Sequence, residues 1–118
     1  GWKGIFNNIV EKTICQFHCE PSKIIAWVGP SISIENYEVK DDFQKRFSSH
    51  SHLSQCFEEK RGKKFFNLSL AVKTQLNLAG LRDITVANRC VFKENKIFHS
   101  FRRDQTKKRM VAFIWIEK

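Results

Sequence analysis

The chain has 118 residues, 42% hydrophobic and 28% charged, a balance that suits one ordinary globular domain and excludes wholesale disorder. Its longest apolar run, Met110 to Ile116, is seven residues, whereas a membrane-spanning helix needs about 20, so no segment is expected to cross a bilayer. The formal charge of +9 suggests an anionic partner such as nucleic acid, phosphate or an acidic surface, but 14 of the 21 basic residues are lysines. They are scattered except around Lys60 to Lys64 and Arg102 to Arg109, which is how a solvated face usually looks. No basic-then-apolar leader opens the sequence, and Cys15, Cys19, Cys56 and Cys90 lie in a core-rich chain that needs no covalent staples. The expected location is a reducing cytoplasm, with all four cysteines read as packing residues.

Ile5, Ile9, Val10, Ile14 and Phe17 recur at helical spacing, which predicts one amphipathic helix from Gly4 to about Cys19, stopped by Pro21. Lys23 to Val28 is a short β-branched run between two turn signals and predicts a buried strand. Val39, Phe43 and Phe47, four apart on a segment that opens with Glu38, Asp41 and Asp42, predict a second helix with carboxylates at the positive end of its dipole. From Ser48 to Lys64 the polar residues thicken, and a mobile connection is expected, with Leu53 and Phe57 forming at most one helical turn.

Leu68, Ala71, Val72, Leu76 and Ala79 predict a third helix, with Gly80 as its C-terminal cap. Asp83 to Ala87 reads as a strand, and Arg109 to Glu117 as a closing strand apolar enough to be buried on both faces. The expected fold class is therefore α+β, a mixed α/β sandwich with helices packed on a mixed β-sheet. Most of the three tryptophans and eleven phenylalanines fall in core phase, so core packing is a stronger reading for them than base stacking.

Several local constellations could carry chemistry. His50-Ser51-His52 with Cys56 has zinc-type donors but lacks a fourth ligand at firm spacing, and reads as a polar surface loop. Cys90 would be a nucleophile only beside a base, which the sequence does not supply. Gly29-Pro30-Ser31 ends a predicted strand, where ligand crevices of open α/β sheets lie, although a tight turn explains it equally. Arg102 and Arg103, bounded by Ser100 and Asp104, can bind an oxyanion bidentately; the alternative is a surface ion pair with Asp104. The expected oxyanion cleft is lined by Ser31, Tyr37 and Ser100, with both arginines facing it.

Three stretches carry a resemblance to a known family: Gly1-Trp2-Lys3-Gly4, then Gly29-Pro30-Ser31-Ile32-Ser33 with Tyr37-Glu38-Val39, then Cys90 with Phe98-His99-Ser100-Phe101-Arg102-Arg103-Asp104. In kind and spacing they resemble the C-terminal half of the laccase-domain family, also labelled polyphenol oxidase, peptidoglycan-editing factor and purine nucleoside phosphorylase. The family usually has Gly where Lys40 stands, and Thr-Gly-Arg where this chain has Thr106-Lys107-Lys108-Arg109. A missing Gly implies a differently shaped last loop.

The resemblance implies that residues 1–118 are a single C-terminal portion of a domain lacking its N-terminal half. It also implies that the intact form binds zinc, or copper in some members, phosphorolyses purine nucleosides and deaminates adenosine. The implied metal ligands, two histidines and a cysteine, precede Gly1, so no zinc, no copper and no catalytic residue is expected in this chain alone. The implied partners are a purine nucleoside and phosphate, bound through Arg102, Arg103, Ser31, Tyr37 and Ser100, with no membrane. A homodimer through an exposed sheet edge is a further expectation. The competing class is a non-enzymatic basic module for nucleic acid or another polyanion, the less favoured partner.

Overall fold

The structure is a computed structural model and describes residues 1–115. Its central element is a helix, α4 (Leu68–Leu78), which packs against the two N-terminal helices, the Ser51–Cys56 turn and the parallel strand pair. Earlier in the chain come α1 (Trp2–Phe6), α2 (Ile9–Ile14), β1 (Ile25–Val28), β2 (Glu38–Val39) and α3 (Asp41–Arg46). The hairpin β3 (Phe57–Lys60) and β4 (Lys63–Phe66) precedes α4, and β5 (Asp83–Val86) and α5 (Phe101–Asp104) follow it. Short 3-10 turns occupy Pro21–Lys23, Ile34–Asn36 and Ser51–Cys56. The α+β reading holds, with the strands divided between two sheets: β1 pairs parallel with β5, and β2–β4–β3 is antiparallel.

The helix expected from Gly4 to Cys19 is two helices. Asn8 adopts the left-handed region at φ 53°, which Asn tolerates better than most residues. The Asn7 side chain donates to the Lys3 carbonyl at 2.7 Å, alongside the Asn7 amide at 3.1 Å, and so closes the end of α1. Gln75 on α4 then spans the gap, its Nε2 donating to the Ile5 carbonyl at 2.9 Å and to Asn8 Oδ1 at 3.2 Å. Because the break is only two residues long, the apolar period reads straight across it. The second helix ends at Ile14, so Cys15, Cys19 and Phe17 are exposed, and the first two are not core residues.

The hairpin replaces the mobile connection expected over Ser48 to Lys64. Arg61 at φ 54° and Gly62 at φ 71° form its two-residue turn, and positive φ at both positions matches the right-handed twist of the flanking strands. Register runs Phe57↔Phe66 to Lys60↔Lys63, so Phe57 and Phe66 stack at 4.7 Å between ring centres. Val39, expected in a helix, is in β2; α3 begins after it at Asp41, with Asp41 and Asp42 in its first turn.

Two apolar clusters flank α4. The larger holds Ile5, Tyr37, Phe47, Leu53, Phe66 and Ala71, and the smaller holds Val28, Leu76 and Leu81. Asn67 caps α4, its side chain accepting from the Leu70 amide at 3.0 Å. At the other end Gly80 has φ +96°, and a Cβ there would lie 3.1 Å from Pro21 Cβ, so both backbone and space favour glycine.

Two expectations fail for one physical reason. The predicted buried strand became β1, which leaves Ile25 76% and Trp27 61% exposed. The predicted closing strand has no regular structure over 109–115, and its apolar side chains are exposed; residues 116 and 117 lie outside the described residues. A strand forms only where a neighbour supplies the ladder, and a parallel sheet is buried only where both faces are covered. The β1–β5 sheet has two strands and one covered face among the described residues. No helix among the described residues is long and apolar enough to cross a membrane.

Candidate functional site

After β1 the chain runs extended through Pro30, Ser31, Ile32 and Ser33, and alternate residues point to opposite sides. Pro30 and Ile32 line an open cavity of about 660 Å³. Ser31 and Ser33 face a smaller polar cavity of about 230 Å³ beside Asn67 and Ser69. The backbone fixes this alternation. Ser31 forms a parallel bridge to Cys90, its amide donating to the Arg89 carbonyl at 3.3 Å and its carbonyl accepting from the Val91 amide at 3.1 Å.

The larger cavity is also lined by Trp2, Tyr37, His99, Ser100 and Arg102. Tyr37 is buried, its ring against Phe43 at 6.2 Å and Phe66 at 6.0 Å. The Arg102 guanidinium lies over its face, 5.2 Å from the ring centre, a cation–π arrangement that keeps the charge available at the wall. Burial pushes the Tyr37 phenol above its usual value, and the Arg102 cation opposes the rise. Ser100 is buried and caps α5, its Oγ accepting from the Arg103 amide at 3.4 Å.

Arg103 points elsewhere. Its Nη1 donates to the carbonyls of Val91 (2.8 Å) and Phe92 (2.9 Å). Its Nη2 donates to the Phe98 carbonyl (2.9 Å) and Asp104 Oδ2 (2.6 Å), and its Nε to Asp104 Oδ1 (2.8 Å). A guanidinium has five N–H donors, and each has an acceptor within the protein. Of the five residues singled out from the sequence, Tyr37, Ser100 and Arg102 therefore meet at one cavity, while Ser31 and Arg103 lie outside its lining. Trp2 and His99 were not singled out. Both stand in stretches that carry the family resemblance, Gly1-Trp2-Lys3-Gly4 and Phe98-His99-Ser100, which is the sequence signal that could have found them.

The remaining candidates are scattered. His50 Nε2 is 3.0 Å from the Phe6 carbonyl, His52 is exposed, and Cys56 is fully buried, where burial raises its thiol. No group of three His, Cys, Asp or Glu side chains gathers among the described residues, so these residues do not fit zinc or copper by themselves. Burial pushes the Cys90 thiol up, but hydrogen bonds from Ser33 and from the amides of Ser33, Lys93 and Phe92 outweigh it and leave it below its usual value. Three lysines of the hairpin have carboxylate partners: Lys60 with Glu58, Lys63 with Glu38 and Lys64 with Asp41. That local neutralisation weakens the hairpin as a polyanion surface.

Helices on two small sheets, one parallel and one antiparallel, with an arginine held on an aromatic wall beside an open cavity, define an α+β unit with a candidate ligand site. The chain belongs to the multi-copper polyphenol oxidoreductase laccase family, whose model matches residues 1–117. It is 32% identical over 117 residues to the purine nucleoside phosphorylase YfiH of Escherichia coli K12, covering 98% of this chain and 48% of that protein. It is 33% identical over 123 residues to the purine nucleoside phosphorylase of Haemophilus influenzae, covering 99% of this chain and 50% of that protein. Among solved structures it is similar to the Bacillus licheniformis protein YfiH, at a TM-score of 0.80 and 26% identity over 89% of this chain and 43% of that one. The chain thus spans about half the length of the curated relatives it matches.

Proposed function

We propose that residues 1–118 are the C-terminal portion of a purine nucleoside phosphorylase and supply one wall of its substrate cavity. The observation that carries this reading is Arg102, an exposed residue held on the Tyr37 ring beside a cavity of about 660 Å³. Phosphorolysis joins a phosphate oxygen to the ribose anomeric carbon as the carbon–nitrogen bond to the purine breaks; the bonding pair leaves with the base, which takes up a proton. The protein's part is to hold phosphate and sugar at contact distance and to offset the gathered negative charge. Arg102 offers guanidinium donors to an oxyanion, and Trp2 brings an indole to the same wall for a planar base.

In this reading adenosine deamination and the zinc or copper it calls for rest on ligands from outside this chain, so no step is routed through a metal here. A homodimer and a cytoplasmic location belong to the same reading. The test uses a polypeptide that joins this sequence to the counterpart of its relatives' other half. Release of free base from inosine is followed against phosphate concentration, for the parent and for Arg102→Ala. Loss of a charge-assisted hydrogen bond is worth about 1.5–3 kcal/mol, which should raise the half-saturating phosphate concentration about 10- to 150-fold. Base release that needs no phosphate, or unchanged saturation in a folded Arg102→Ala, would overturn the proposal.

A further inference from the structure

We infer that Arg103 is a positioning residue, whose fully engaged guanidinium folds residues 90–104 into the loop that holds Arg102 over Tyr37. The inference rests on the reading of the larger cavity as the substrate site.

Residues 90–98 are also held by the Arg89–Glu94 pair and by turn hydrogen bonds onto Cys90 and Glu94, but the stretch that carries Arg102 has less of its own to order it. Helix α5 has four residues, far too few to be stable alone, because helix nucleation is unfavourable and only a longer run recovers its cost. It ends at Gln105 in the left-handed region, φ 50°, where a non-glycine residue needs support from its surroundings. The support converges on Arg103. Its side chain is 18% exposed and joins three stretches of chain: the carbonyls of Val91 and Phe92 after the Ser31–Cys90 bridge, the Phe98 carbonyl before α5, and the Asp104 carboxylate within it. The planar fork meets Asp104 through two donors on one edge, Nε and Nη2, and the carbonyls through the rest, an arrangement that a lysine ammonium with three donors on one atom cannot copy. Arg102 is the next residue back, so the backbone that aims it at Tyr37 is the backbone that Arg103 fixes.

Tyr37 is the only tyrosine of the chain, so tyrosinate absorbance near ~295 nm reports the site without interference from other phenols. The Arg102 cation lowers the Tyr37 titration against the effect of burial. In the 118-residue chain, Arg102→Ala should therefore move that titration to higher pH. If Arg103 positions Arg102, Arg103→Lys and Arg103→Ala should move it in the same direction by a comparable interval, and the Arg102→Ala/Arg103→Ala double variant should move it no further than Arg102→Ala does. Asp104→Asn removes the carboxylate half of the clamp and should give a smaller displacement, which keeps the test available if Arg103→Ala fails to fold. A Tyr37 titration that moves in Arg102→Ala but stays at the parental pH in folded Arg103→Lys and Asp104→Asn would overturn the inference and leave the substrate reading intact. Unchanged phosphate saturation in Arg102→Ala would remove the substrate reading while leaving the clamp standing.

Discussion

Phe66 connects the core to the cavity, and its truncation gives the sharpest test of how the molecule is held together. The side chain is fully buried, and its ring centre lies 4.7 Å from Phe57, 5.4 Å from both Phe43 and Phe47, and 6.0 Å from Tyr37. Cutting a buried phenylalanine to alanine costs about 3–5 kcal/mol in lost transfer and residual cavity. Edge contacts worth about 0.5–1.5 kcal/mol each do not add independently around one ring, so the upper part of that range is expected. Domain stabilities are about 5–15 kcal/mol, and Phe66→Ala should remove a large share of that total. With a urea slope of about 1.5 kcal/mol per molar, the midpoint should fall by about 3 M. Phe66→Leu keeps most of the volume and should lose roughly a third as much. The apolar tail supplies the control: Ile114 is 97% exposed, so Ile114→Ala should move the midpoint by no more than the ~0.5 kcal/mol typical of surface changes. Urea titrations followed by tryptophan fluorescence read all three. Equal losses for Phe66→Ala and Ile114→Ala would refute the assignment of the aromatic cluster as the main source of stability.

Cys15 and Cys19 are exposed whereas Cys56 and Cys90 are buried, so a thiol reagent should modify two groups quickly in the native chain and all four after unfolding; four fast groups under native conditions would contradict the packing around Leu53 and Ser33. Three carboxylates lie below their ordinary values: Glu35 through a hydrogen bond from Ser33, Glu94 through Arg89, and Asp104 through Arg103. A carboxyl group that titrates lower when folded adds stability above its ordinary value, 4.5 for Glu, and that contribution is lost as pH falls through the folded value. The urea midpoint should accordingly fall on acidification below about pH 4.5, and Asp104→Asn should flatten part of that decline. A midpoint that rises between about pH 5 and about pH 3 would reverse the sign and refute the pairing.

What the sequence disclosed about the fold depended on whether a signal was local. Helix α4 was legible because its apolar period, the cap at Asn67 and the stop at Gly80 all act within one element and agree. The break at Asn7-Asn8 was hidden because the residue that closes it, Gln75, lies 67 positions from Asn8 along the chain. The hairpin was missed through its composition: Glu58, Glu59, Lys60, Lys63 and Lys64 looked like solvent-facing loop, yet they pair across two strands whose far ends, Phe57 and Phe66, pack in the core. The left-handed pair Arg61-Gly62 was the available clue. The tail failed in the opposite sense, since seven apolar residues describe what a strand would bury but not whether a neighbour is there to pair with it.

The candidate site was legible as a set of segments and not as a set of side chains. Glycine-proline-serine, Tyr37 and the double arginine do converge, but which residue of each segment faces the cavity depends on local backbone that the motifs do not specify. In an extended stretch consecutive residues point to opposite sides, so Pro30 and Ile32 reach the larger cavity while Ser31 turns to the smaller one. In a helix consecutive side chains diverge by roughly 100°, and α5 is a helix, so Arg102 and Arg103 cannot both lie on the same wall. Adjacent guanidiniums suggest joint binding of one anion only if the backbone is assumed to aim them together. Here one is aimed outward onto Tyr37 and the other inward onto three carbonyls and Asp104. Mutual repulsion, the physical reason for expecting a shared ligand, is relieved by the Asp104 carboxylate on the inner arginine, so the proposed phosphate contact needs only the outer one.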